Sequence, residues 1–205
     1  MTLRFPPARR VGFESAKAYE RRRVCGFWAR YVTGNVMLDI GYRGGLPDAL
    51  PIADGSIGIE RDTPKYDGLH LPFEDGSVDC VHASHVLEHV PDARVFLREW
   101  FRVLRTGGTL ILFVPSAHLY ERRLNVPPSR WSPEHVRAYT PATLLADVEL
   151  ALEPNSYRVR HCADCDQGYD YMLPPDVHPR GCLEIELVVQ KIASPVWKVE
   201  DWWPE

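Results

Sequence analysis

The chain has 205 residues, a formal net charge of -4 and 45% hydrophobic residues, enough apolar matter for one compact core. The arginine clusters Arg9-Arg10, Arg21 to Arg23 and Arg122-Arg123 are offset by acids, so no broad cationic surface for nucleic acid is expected; the longest apolar runs, such as Leu110 to Val114, are too short to span a bilayer. Five cysteines (Cys25, Cys80, Cys162, Cys165 and Cys182) and a start without a charged-then-apolar leader fit a reducing, cytoplasmic setting better than a disulfide framework.

In chain order, Phe13, Ala16, Tyr19, Val24, Phe27, Trp28 and Tyr31 fall at roughly helical spacing with basic residues between, which predicts an amphipathic helix over 13–31 that packs on a sheet or covers a pocket. Val36 to Ile40 reads as a buried strand running into a glycine turn, Pro47 to Ala53 as a brief helix, and Ile57 to Glu60 as a second strand ending in a carboxylate. Leu69 to Phe73 leads into the turn Glu74 to Ser77, and Val78 to His82 reads as a further strand. Pro91 to Leu104 places Ala93, Phe96, Leu97, Trp100, Phe101 and Leu104 on one helical face before the stop Thr106-Gly107-Gly108, and Thr109 to Val114 follows as a strand.

Residues 115–141 are rich in proline and charge and read as an insertion arching over the strand ends. Thr140-Pro141 caps a helix over Ala142 to Leu152, Tyr157 to His161 and Leu183 to Lys191 read as the last strands, and the three tryptophans of Trp197 to Glu205 as core or edge cover. Alternation of this kind predicts one α/β domain over 1–205, doubly wound, with helices on both faces of a mostly parallel sheet and ligands at the carboxyl ends of its strands. The helix over 13–31 and the insertion over 115–141 would form a lid.

The loop Asp39-Ile40-Gly41-Tyr42-Arg43-Gly44-Gly45 stands straight after the first strand, where glycine permits a sharp turn and lets backbone approach a nucleoside-bearing ligand. Glu60 ends the next strand about 20 residues on, where a carboxylate can accept hydrogen bonds from both ribose hydroxyls. A plain turn and a surface acid would read the same way.

Five stretches, V-M-L-D-I-G-Y-R-G-G, I-G-I-E, Y-D-G-L-H-L-P-F-E-D-G-S-V-D, S-H-V-L-E-H-V-P-D and F-R-V-L-R-T-G-G-T-L-I-L-F-V-P, run in order from Val36 to Pro115. In them the chain resembles class I S-adenosylmethionine-dependent methyltransferases, particularly the group with a Leu-Pro-Phe and Leu-Glu-His signature. The resemblance implies a seven-stranded sheet with an antiparallel last strand and S-adenosylmethionine as cofactor. It also implies that Asp39, Gly41 and Gly45 hold the methionine end, Glu60 the ribose, and Asp67 with Gly68 the adenine, with Ser84 and His85 beside the sulfonium. Two features depart from the pattern: Arg43 stands where glycine is usual, and only six residues separate Glu60 from Asp67, too few for a crossover helix.

If the acceptor is a hydroxyl, a base must take its proton, and histidine is the side chain best poised to do so. His85 is the first candidate, with His89, His118 and His135 behind it. His85, Glu88 and His89 at i, i+3 and i+4 would share one face of a helical turn. Some relatives with Glu-x-x-Glu-His here hold a divalent metal; this sequence has histidine in the first place, and a third or fourth ligand would have to come from His118 or His135, so the plainer reading, Glu88 and His89 as a capping and hydrogen-bonding pair with no metal, is the one taken. Cys162-x-x-Cys165 with His178 and Cys182 has the spacing of a small zinc site but lacks a helix-forming run before the histidine, so buried or edge cysteines are expected.

The reading is a methyltransferase acting on a small-molecule or glycan hydroxyl. S-P-E-H-V-R-A-Y-T also resembles methyltransferases among polysaccharide-modifying enzymes, which favours a sugar. The alternative is a non-catalytic methyltransferase-like binding or regulatory protein, motivated by Arg43 and the short second crossover. A dinucleotide oxidoreductase is disfavoured because no G-x-G-x-x-G opens a long helix.

Overall fold

The apolar runs assemble into a six-stranded sheet in a computed structural model that describes residues 2–123 and 125–193. Strands β1 (Met37–Ile40), β2 (Ile57–Ile59), β3 (Val78–Ser84) and β4 (Leu104–Pro115) pair in parallel. After β5 (Tyr157–Cys165) the chain returns as β6 (Glu184–Lys191), antiparallel to both β4 and β5, and the order across the sheet is β2-β1-β3-β4-β6-β5. Helices α1 (Phe13–Val24), α2 (Phe27–Tyr31), α3 (Ala93–Val103) and α4 (Pro141–Ala151) cover it. The expected tryptophan cover at Trp197, Trp202 and Trp203 lies outside the described residues.

On one face, Leu97 and Trp100 of α3 and Leu144 and Val148 of α4 bury the alternate side chains Leu38, Val81, Leu110 and Leu187. Asp92 caps α3 by accepting from Arg94 N–H at 3.1 Å, and Lys191 Nζ closes its other end on the carbonyls of Phe101 (2.9 Å) and Leu104 (2.7 Å). A Thr140/Thr143 capping box with Pro141 in the first turn starts α4. On the other face, Tyr19, Phe27 and Trp28 pack on Met37, Ile111, Phe113 and Val188.

Three expectations need correction. The helix over 13–31 is two helices, because Gly26 turns left-handed at φ +75 and breaks the run. Pro47 to Ala53 is not helical: Pro51 pushes its predecessor towards extended backbone, Leu50 N–H donates to Arg10 O at 2.7 Å, and Ile52 N–H donates to Asp39 Oδ2 at 2.5 Å. Among the described residues the sheet has six strands rather than seven, and the stretch after β2 stays in turns. Its backbone is satisfied by α3 side chains: Leu71 N–H donates to Glu99 at 2.7 Å, and Arg102 donates to the carbonyls of Leu71 (3.2 Å) and Phe73 (3.0 Å). Among the described residues no helix is long and apolar enough to cross a membrane.

One charge is sealed between α1 and the sheet. Arg22 is 1% exposed; its guanidinium lies 3.4 Å from the centre of the Phe113 ring, and it donates to Glu186 at 2.8 Å and to Glu184. Glu186 also takes Arg21 and His161, the latter at 3.1 Å. Burial, the largest single effect, pushes the Glu184 carboxyl up, but the charges and hydrogen bonds of Arg22 and His85 together outweigh it and hold the group below the ordinary carboxylate range. Arg22→Ala strips the shared cation from two buried carboxylates and is expected to cost about 3–5 kcal/mol of stability, read as a lower urea midpoint at unchanged slope.

Candidate functional site

The carboxyl ends of β1 to β4 and the start of α1 enclose a cavity of about 590 Å³. Where β1 ends, Gly41 takes φ +67 and donates to Ile59 O at 2.8 Å; a Cβ there would stand 2.5 Å from Val86 Cγ2. A Cβ on Gly44 would meet Gly12 Cα at 3.1 Å, so the start of α1 rests directly on the glycine loop. Glu60, straight after β2, accepts from Arg43 N–H at 2.8 Å through Oε1. The Arg43 side chain turns to Asp62 at 2.8 Å and lies along Tyr42.

After β3 the chain turns through His85 at φ +55, an uncommon conformation for a residue with a Cβ, and His85 N–H donates to Phe113 O at 2.9 Å. The short 3₁₀ turn Leu87–His89 follows. His135 arrives from the segment after β4, which the amides of Val136 (2.9 Å) and Arg137 (3.2 Å) tie to Glu88 O.

Of the residues singled out in the sequence, Gly41, Gly45, Glu60, Gly68 and Ser84 line the cavity, as do His85, His89 and His135. Asp39 does not reach it: besides taking the Ile52 amide, it accepts from His82 Nδ1 at 2.6 Å, a buried pair that anchors the loop from beneath. Asp67 is exposed and closes its own turn, accepting from the amides of Leu69 (2.9 Å) and His70 (2.7 Å) and from the His70 ring (2.8 Å). His118 is exposed and outside the lining. The zinc grouping does not assemble: three positions apart on one strand, Cys162 packs with the α3 and α4 face while Cys165 joins Cys182 and Ala18 beneath α1, and His178 meets Trp131 and Tyr120 edge to face.

Sequence reasoning missed Tyr66 and Phe96, whose rings line the cavity, and Glu184 beneath His85. The readable signal for Glu184 was a pair of acids, Glu184 and Glu186, inside an apolar strand, since such acids are buried only with partners.

Both ring nitrogens of His85 face carboxylates, Nε2 at 3.2 Å from Glu184 and Nδ1 at 3.3 Å from Glu88. Burial opposes its charge, but the two carboxylates prevail and raise its pKa to about 10. In this arrangement both ring nitrogens of His85 are turned to carboxylates at the cavity wall. Glu88 is 1% exposed. His89 Nε2 and His135 Nε2 stand 3.8 and 3.9 Å from Glu88 Oε1. Burial lowers the pKa of His135.

Residues 60–112 match the family described as methyltransferase domain. The chain is similar to ajmaline N-methyltransferase of Rauvolfia serpentina, 41% identical over 71 residues (32% of this chain, 24% of that protein), and to demethylmenaquinone methyltransferase of Corynebacterium urealyticum, 42% identical over 67 residues (29% of each). The matched segments thus span less than a third of these curated relatives. In fold it is similar to an S-adenosylmethionine-dependent methyltransferase from Archaeoglobus fulgidus, with TM-score 0.52 and 15% identity over 87% of this chain and 98% of that one.

Gly41→Ala forces a Cβ into left-handed backbone and against Val86, an expected loss of about 1–3 kcal/mol. Adding Val86→Ala removes the clash but not the backbone penalty, so a double-mutant cycle by urea unfolding is expected to show partial recovery.

Proposed function

We propose that this chain, by its fold and central motif block a class I S-adenosylmethionine-dependent methyltransferase, methylates a hydroxyl of a small molecule or sugar. The observation that carries the proposal is one cavity shared by the glycine loop with Glu60 and the histidine cluster after β3 and β4, on opposite sides of β1 in the sheet order.

The residues fit the cofactor. The cavity volume suits a ligand of nucleoside size. Among the described residues, Glu60 has one carboxylate oxygen bound by the loop and the other without a protein hydrogen bond, and Ser84 Oγ is buried with no partner. In this reading Gly41 and Gly45 give backbone room, Glu60 receives ribose hydroxyls, Gly68 and the Tyr66 ring border the base, and Ser84 completes its hydrogen bonding on the ligand. Asp39 serves by anchoring the loop, and Asp67 by shaping the turn that presents Tyr66 and Gly68. When bound, S-adenosylmethionine supplies a methyl group on a sulfonium, which needs no acid from the protein.

What the chain must add is positioning of the acceptor and a destination for its proton. His89 and His135 face the cavity beside Tyr120, Ser132 and Glu134, an aromatic and polar lining suited to a sugar or aromatic hydroxyl, as in polysaccharide modification. The proposed setting is cytoplasmic, in keeping with five free cysteines.

Calorimetric titration with S-adenosylhomocysteine is expected to give micromolar binding. Glu60→Ala should weaken it about 10- to 100-fold, the range for hydrogen bonds to a charged group, whereas His135→Ala should leave it near wild type and abolish turnover on the acceptor found by screening sugars and phenols. No heat from folded wild-type protein would remove the enzyme reading in favour of a non-catalytic binding protein.

A further inference from the structure

We infer that Glu88, His89 and His135 form a site for one divalent transition-metal ion with open coordination positions towards the cavity. One ligand atom from each lies within 4.8 Å of the others. Ligands of a tetrahedral zinc site stand about 3.3 Å apart, so on binding the 3.8 and 3.9 Å separations from Glu88 close by about half an ångström and the two imidazoles, within 4.8 Å of each other, draw together as well.

The second observation is the state of the carboxylate. Among the described residues, neither oxygen of Glu88 accepts a well-aligned hydrogen bond although the side chain is sealed from water; the His85 ring, Nδ1 3.3 Å from Oε1, is its near charged neighbour, and Oε2 is left without a partner. A capping and hydrogen-bonding pair would fill those positions with donors. A desolvated carboxylate with open lone pairs is costly, and a metal ion held jointly with two imidazoles adds to the compensation that the His85 ring begins.

The imidazoles are set for this. His89 Nδ1 lies 3.3 Å from the Glu134 carbonyl, which can only accept, so the proton sits on Nδ1 and the Nε2 lone pair faces Glu88. His135 is fixed by the amide bonds from residues 136 and 137 to Glu88 O and by Arg137, whose guanidinium donates to Val90 O at 3.1 Å and Pro91 O at 2.6 Å. The two ligand-bearing segments are thereby stapled together, and both histidines reach the cavity. Two nitrogens and one carboxylate oxygen suit zinc, manganese, iron or cobalt better than magnesium or calcium.

Ion binding stands apart from the methyl-transfer reading; only the role of the ion rests on it. There, an acceptor hydroxyl taking an open position would acquire a lowered pKa and release its proton to solvent, so that the imidazoles act through the ion rather than as direct bases.

The test uses the whole chain, stripped with chelator and desalted, titrated with Co²⁺ by visible absorption and with Zn²⁺ by calorimetry. One ion per chain is expected, with binding weakened at least about tenfold in Glu88→Gln and in His135→Ala; thermal unfolding checks that each variant is folded, and His135→Ala, on an irregular segment, remains informative if Glu88→Gln does not fold. Folded wild type that takes up no ion below about 0.1 mM, or folded variants that bind as tightly as wild type, would overturn the site. Failure of the methyltransferase reading appears separately, as absent S-adenosylhomocysteine binding with the cobalt spectrum intact.

Discussion

The guanidinium of Arg22, pressed on the Phe113 ring between Glu184 and Glu186, joins the first helix to the last strand, and the placement of the cavity walls follows from it. With α1 clamped there, its start rests on the glycine loop and supplies one wall. Glu184 turns its other oxygen to His85, so the same charges reach the turn after β3 that carries Glu88 and His89. An apolar replacement of such a ladder can match its stability, but it would leave His85 without the partner that fixes its ring. The ladder contributes direction as well as energy.

Much of the fold was legible because its signals are local. Strands β1 and β2 are short apolar runs ended by a glycine and an acid, β3 and β4 carry longer apolar runs, and α3 and α4 carry caps next to one apolar stripe. The break at Gly26 was hidden by apolar spacing that continues across it, since periodicity registers faces and not backbone handedness. Pro47 to Ala53 carried Pro51, a local warning against helix that the apolar pattern obscured. The turns after β2 depend on Glu99 and Arg102, residues distant in sequence whose reach no local pattern reveals.

At the site, the loop and Glu60 were readable from spacing, while side-chain direction was not. Asp39 and Asp67 have the chemistry of ligand-binding acids, yet each spends both oxygens on the protein, one on a buried histidine and a backbone amide, the other on its own turn. Arg43 shows the converse. It departs from the glycine that the resemblance leads one to expect, but the loop presents its amide to Glu60 at this position and the long side chain leaves sideways to Asp62. Bulk at one loop position is harmless when the backbone keeps its donor and the side chain has an exit.

Among the described residues, neither the β1 to β2 nor the β2 to β3 connection carries a helix, and one face of the sheet is roofed instead by the segment before β1. That roof docks on Phe113 and Val188 and is locked by acids of β6. During synthesis the roofing segment therefore leaves the ribosome before any strand of the sheet and waits for its seat, which is complete only when β6 has emerged. In the interval Tyr19, Phe27 and Trp28 are exposed apolar groups on a nascent chain, and the closing step joins residues more than about 150 positions apart, the kind of non-local contact that slows folding and leaves such surfaces open to other chains.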